Sequence, residues 1–257
     1  MKAIKLSILV ACAGLIFQSC SNSTTPPAGS SSIQYTMGAH YTYIQDAMDT
    51  AGPTTQKDQR DSSNRDHISS TVINTNASFG NKTGVVEIEN VHTIGSRDTV
   101  RGYQESGNLY VWDYGAGSLL SNPLIVAYTG QTVDIGWVLQ SKLNASAGTT
   151  WQADSTSIPI TYSGFSTTIV VLDMATEKQD TTIVIAGKSM IAKHAHHTIT
   201  ATASLLGFPV TIAAVPVDTY VTVEEGLVLN VLHSFTITLP TVSPIQVEGL
   251  YTAMTSF

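Results

Sequence analysis

Lys193-His194-Ala195-His196-His197 is the densest run of chemically active side chains in the sequence. Side chains alternate along an extended strand, so His194 and His196 share one face and present two imidazoles that could form one edge of a metal site. The third ligand would come from His233, His92 or an aspartate, yet no Asp or Glu lies within ten residues on either side of the run. The run therefore reads as a polar stripe on a strand face, with no metal bound.

Other candidate chemistries fail on spacing. Gly187-Lys188-Ser189 has the ending of a phosphate-binding loop, but Thr182 stands where that motif needs its first glycine. A glycine in a turn between strands explains it better. No Gly-x-Ser-x-Gly elbow accompanies the serines and histidines. Glu87 with Glu89, and Glu224 with Glu225, are paired carboxylates. The first pair falls on one face of a polar strand, whereas glycoside hydrolysis needs two carboxyls facing each other across a cleft. Tyr35, Tyr41 and Tyr43 share parity, so they line either a core with hydroxyls at its rim or the mouth of a cavity. The chain reads as a non-enzymatic protein without a cofactor.

The elements that must position these residues are strands. Only 12% of the 257 residues are charged, and Thr, Ser and Val abound, which is the composition of a β domain. Ile68 to Asn76 and Val85 to Ile94 are expected to pair through a turn at Gly80 to Gly84. Further strands are expected at Leu109 to Trp112, Leu124 to Tyr128, Ile158 to Tyr162, Thr168 to Asp173 and Thr181 to Ala186. Lys193 to Ala203, Val210 to Ala214, Thr219 to Val223 and Leu227 to Leu239 continue the pattern. Ile135, Val138, Leu139 and Leu143 are spaced like one face of a short helix. Thr50 to Asp66 is a long polar insertion without apolar periodicity, read as a solvated hairpin tip. The fold class is thus all-β, a single antiparallel curved sheet (a half-barrel) or a β-sandwich, spanning 33–257.

The N-terminus fixes the compartment. Lys2 and Lys5 precede an apolar run from Leu6 to Phe17, followed by Gln18-Ser19-Cys20. A basic start, an apolar core of about a dozen residues and a small residue before a cut make residues 1–19 a secretory signal. A cysteine just past the cut resembles the bacterial lipoprotein signal, in which that residue is acylated and becomes the new N-terminus. Ser19 and Cys20 carry the match. Leu9-Val10-Ala11-Cys12 fits the box more closely but leaves an apolar core of roughly six residues, below the usual ~7–15. Residues 20–32, the lipidated cysteine and a Ser/Thr/Pro-rich stretch, form a tether with nothing to bury. Both cysteines lie in the first twenty residues, so the folded domain is expected to use neither disulfides nor thiolate ligands.

Losing Lys2 and Lys5 leaves ten cationic against nineteen acidic residues, a net charge of −9. Nucleic-acid binding rests on phosphate neutralisation by Lys and Arg, so this balance excludes it as a partner. It also leaves the acyl chains on Cys20 as the attachment to the membrane.

Gly38-Ala39-His40-Tyr41-Thr42-Tyr43, Gly148-Thr149-Thr150-Trp151, Ala186-Gly187-Lys188, and Tyr220 followed by Gly226-Leu227-Val228 resemble a set of uncharacterised envelope lipoproteins. Those open with a Gly-x-x-Trp-Thr-Tyr strand after a lipidated leader and close with a Gly-Leu-Val strand. The resemblance covers most of the mature chain. Tyr41 stands in place of the Trp, and Glu224-Glu225 in place of a Pro-containing lead-in. What the resemblance implies is a strongly curved antiparallel sheet similar to the half-barrels of lipoprotein carriers. Ser21 and Asn22 lack the Asp of the Gram-negative inner-membrane retention signal, which implies the outer membrane. The expected function is a binding or carrier module for an apolar small molecule or acyl chain. The alternative is a structural module that meets another envelope protein.

Overall fold

The computed structural model describes residues 32–49, 59–93, 95–112, 135–162, 165–205, 208–238 and 243–257. The signal, Cys20, the tether up to residue 31 and the strand expected at Leu124 to Tyr128 lie outside them. Every described element is a strand.

One large antiparallel sheet dominates. In chain order its strands are β1 (His40–Asp49), β2 (Gln59–Phe79), β3 (Lys82–His92), β4 (Arg97–Glu105), β5 (Asn108–Trp112), β6 (Trp137–Lys142), β7 (Thr150–Tyr162), β8 (Phe165–Glu177), β9 (Thr181–Ile185), β10 (Lys188–Leu205), β11 (Phe208–Thr222) and β12 (Gly226–Leu232). A two-stranded ribbon, β13 (Phe235–Ile237) with β14 (Ile245–Val247), precedes the last strand, β15 (Gly249–Ser256). The spatial order is β6-β5-β4-β3-β2-β1-β15-β12-β11-β10-β8-β7, with β9 beside β10. The sheet curves until its two edge strands, β6 and β7, come together. Trp151 Nε1 donates to the Leu139 carbonyl at 3.2 Å, and His197 Nε2 of β10 donates to the Gln140 carbonyl at 2.9 Å. The architecture is a nearly closed barrel rather than a sandwich.

Turn chemistry follows the sequence. The β2–β3 hairpin turns on Gly80 and Asn81, and the β9–β10 hairpin on Ala186 and Gly187, all with positive φ. That conformation suits glycine and asparagine at tight hairpins and accounts for Gly187-Lys188 without a phosphate.

Two expectations are corrected. The helical spacing at 135–143 is a strand: β6 pairs with β5, Val111 opposite Val138 and Trp112 opposite Trp137. Val138 and Gln140 are buried while Leu139 is half-buried, the alternation of an edge strand. The open edge of β5 supplies ladder partners that outweigh a short helical spacing. The polar insertion is also partly strand, because residues 59–66 belong to β2 and reach β1 through Asp49 opposite Gln59 and Gln45 opposite Asp66. Arg60 and Arg65 both meet the buried carboxylate of Asp46, so charge pairing stabilises a segment that has no apolar face.

Val210 to Ala214 and Thr219 to Val223 prove to be parts of one strand, β11, which passes through Pro216. The β12 ladder ends at Val217 opposite Leu232, and the Pro216 carbonyl accepts the His233 N–H at 3.0 Å just beyond it. The largest core cluster joins Val171, Ile199, Ala201, Val215 and Val217 to Phe235 and Ile237 of the ribbon. Packing of this kind substitutes for the disulfides the domain lacks.

Candidate functional site

A cavity of about 590 Å³ lies against strands β1 to β6, β12 and β15, within the ~300–1,000 Å³ range of small-molecule sites. Register places its wall. Tyr41 pairs with Ser70 and Tyr43 with Ile68, so these four side chains point the same way, and all four line the cavity. Ile88 and Val86 of β3, Leu109 and Val111 of β5, and Leu227 and Leu250 extend the apolar surface. Tyr35 comes from the segment before β1 and joins its two sequence partners there.

The three tyrosines stay neutral. Burial first, and then the neighbouring phenols, push Tyr35 and Tyr43 far above the ordinary phenol range; burial and Glu225 raise Tyr41. Tyr43 donates its hydroxyl to the Leu227 carbonyl at 3.0 Å, which links β1 to the start of β12. Gly226, at φ +79°, leaves room for the Tyr35 hydroxyl, and a Cβ there would collide with it. The Gly226-Leu227-Val228 motif is thus a seat for the tyrosine wall.

One side of the cavity is polar and internally paired. Ser70 donates to Asn90 at 2.7 Å, Asn90 to Asp98 at 2.7 Å, and His92 bridges Asp98 at 2.8 Å and Asp66. Burial opposes the charge on His92, but the hydrogen bonds to Asp66 and Asp98 outweigh it and raise its pKa. Burial likewise works against Asp66, yet His92 and the Thr93 amide hold its carboxyl below the usual range. Gln140 also borders the cavity; it is 1% exposed, and its side-chain Nε2 and Oε1 have no hydrogen-bond partner among the described residues. Its backbone is fixed by His197, which in turn faces Asp173 at 3.0 Å and packs edge-on to Trp151 at 6.2 Å.

The histidine run divides between two faces. His194 and His196 are joined by Asp218, opposite His196 on β11, and by His233 beyond β12. His194 Nε2 and His196 Nδ1 meet Asp218 Oδ1 at 2.7 and 2.9 Å, and His233 Nε2 meets Oδ2 at 2.7 Å. The fold therefore supplies the partners that the local sequence lacks, although His92 is not one of them. The imidazoles converge on the carboxylate itself; among the described residues no such group is arranged to hold a metal ion. Burial works to raise Asp218, but hydrogen bonds from His233, His194 and His196 hold it far below the ordinary carboxylate range. Tyr220 stacks on His194 at 4.3 Å.

Of the paired carboxylates, Glu87 meets Arg101 at 2.8 Å, Glu89 meets Arg97 at 3.3 Å and Glu225 meets Lys188 at 3.4 Å. The first two are cross-strand ion pairs between β3 and β4, and the third ties the turn before β12 to β10. Sequence reasoning missed Gln140 and Glu177. The signal for Gln140 was its parity with Val138, visible only once the segment is read as a strand. Glu177 is 1% exposed, neither side-chain oxygen accepts a hydrogen bond among the described residues, and burial raises its pKa to about 7. Lys193 Nζ, 4.0 Å away, offsets part of that rise.

No family model and no curated protein matches this chain. Among solved structures it is similar to a protein described as a lipoprotein from Parabacteroides distasonis, at 12% identity and TM-score 0.47 over 87% of this chain and 96% of that one. It is also similar to the hypothetical lipoprotein YmcC of Escherichia coli, at 9% identity and TM-score 0.32 over 84% of each chain. A third similarity is to an exported protein with a YmcC-like fold from Bacteroides fragilis, at 7% identity and TM-score 0.36 over 87% of this chain and 97% of that one.

Proposed function

We propose that this protein is a cell-envelope lipoprotein, anchored by acyl chains on Cys20 to the outer membrane, whose curved sheet holds an apolar ligand or acyl chain without altering it chemically. The cavity carries this reading. Its volume suits one chain-like ligand, its wall has an aliphatic and phenolic part beside a polar one, and its tyrosines stay uncharged. An apolar body with few polar groups is what a ligand pocket requires. The polar groups at its side bond to one another, as structural groups do, instead of converging on a reacting atom.

The test is native mass spectrometry of the chain spanning residues 20–257 with Cys20→Ser, followed by solvent extraction. A stoichiometric apolar molecule that co-purifies, or an added alkyl probe that binds one to one, supports the carrier. If the cavity takes neither, the protein is an envelope module that acts through its surface.

A further inference from the structure

The end of the sheet where β1 begins carries a rim of exposed apolar side chains. Eight large apolar residues stand exposed among the described ones, and five of them, Met37, Ile73, Val184, Ile191 and Phe257, lie on this rim. Their backbones adjoin. Met37 tips the turn from Thr36 to Ala39, and Gly38 after it donates its N–H to the Val72 carbonyl at 2.9 Å, which sets Met37 beside Ile73. Ile73 falls at a bulge in β2, between Val72 and Asn74. On the other side of β1, Thr42 faces Ser256, and Phe257 follows. The Lys188 ammonium sits 4.8 Å from the centre of the Phe257 ring. Val184 faces Ser189, next to Lys188, and Ile191 falls on the same face of that hairpin.

The strand ends and turns that build this rim come from residues 33–45, 67–81, 181–187 and 249–257. None of these stretches contains Asp, Glu, Lys or Arg, in a chain of which 12% is charged. Lys188, at the border, is held by Glu225 at 3.4 Å. Exposed apolar side chains gathered in this way mark a protein or a membrane contact. Two observations select the membrane. A surface without ions offers little to charge-steered protein recognition. Met37 also lies just after the point where the chain enters the domain, and the stretch from Cys20 to Ser32 spans at most about 40 Å when fully extended. An acyl group on Cys20 therefore keeps that entry point, and the rim beside it, close to lipid.

Resting on the Cys20 anchor proposed above, we propose that this rim lies on the lipid surface, with its five apolar side chains seated among the headgroups. The acyl chains hold the protein at the membrane, and the rim fixes how it lies. Binding of this kind grows with the apolar area buried. The mature chain's net charge of −9 favours a zwitterionic surface over an anionic one.

The test uses the full chain, expressed with its signal and reconstituted into phosphatidylcholine vesicles that contain a nitroxide-labelled lipid. A bimane label is attached at the site of Val184→Cys or, as the control, of Val170→Cys. Val170 is exposed and faces Thr202, about 40 Å further along β10 from Ser189. The label at Val184 should lose most of its fluorescence to the nitroxide, and the label at Val170 should keep it. Met37→Asp with Phe257→Asp should restore the signal at Val184 while the chain stays on the vesicles. Equal fluorescence at the two sites on vesicle-bound protein overturns the lipid contact and leaves the anchor standing, as does quenching that survives those two substitutions. A label at Val184 that is shielded from both the nitroxide lipid and aqueous iodide overturns it too, and assigns the rim to a protein partner. If the chain without an added cysteine takes up bimane at Cys20 and stays off the vesicles, the anchor itself falls, and this contact with it.

Discussion

His197 on β10 donates its Nε2 proton to the backbone carbonyl of Gln140 on β6 at 2.9 Å, across 57 residues of sequence. The bond is fully buried and ties an edge strand of the sheet to an interior one without a ladder between them. Asp173 faces the other ring nitrogen at 3.0 Å and orients the imidazole. Closure of the barrel thus rests on side chains where backbone pairing stops.

His197→Ala should therefore loosen that closure. Removing the donor orphans a buried carbonyl and leaves the Asp173 carboxylate without its partner, a combined loss of about 2–4 kcal/mol. Urea denaturation measures the loss, and hydrogen exchange should show the β6 amides opening first. A loss below about 0.5 kcal/mol, within the range of neutral surface changes, would mean the clamp is incidental.

Glu177 gives a stability that falls as pH rises. Its folded pKa, raised to about 7 by burial, lies above the unfolded value of 4.5. The folded state then binds more protons across that interval, so the favourable contribution is complete below pH 4.5 and is lost as pH rises through 7. Glu177→Gln, which removes the charge, should raise Tm by several degrees at pH 8, from a penalty of at most about 3 kcal/mol. The two proteins should melt together at pH 4.5. A gap that does not change with pH would rule out titration of this carboxyl as the cause.

Asp218 works in the opposite sense. Its carboxyl is held below its unfolded value by three imidazoles, so its contribution is present above about pH 4 and is lost progressively in stronger acid. Asp218→Ala leaves His194, His196 and His233 without this acceptor and should cost about 2 kcal/mol at pH 7. The difference between the two proteins should shrink from pH 4 toward pH 2 in thermal melts. If it persists undiminished at pH 2, packing and not charge explains the effect.

Cys20→Ser tests the anchor. The described core lies wholly within 33–257, so the substituted protein should fold and melt like the wild type. It should also lose labelling by a clickable fatty acid, and either leave the membrane fraction or remain unprocessed. Labelling that continues on the Cys20→Ser chain would place the acyl group elsewhere.

What the sequence by itself determined is local. Period-2 alternation, the glycine and asparagine turns and the scarcity of helical periodicity dictate strands and hairpins. The shared parity of Tyr35, Tyr41 and Tyr43 already aims them at one surface. What only the tertiary structure decided is non-local, because register across a curved sheet joins residues that no sequence window contains. Asp218 reaches the histidine run from 22 residues away, and His197 reaches Gln140 from 57. The same holds for β6, whose apolar spacing is compatible with a helix until β5 offers it an open edge to pair with. Curvature, too, is a collective property: it sets whether the tyrosines meet a filled core or border a space, and here they do both, packing with Val72 and Met254 while lining a cavity of about 590 Å³.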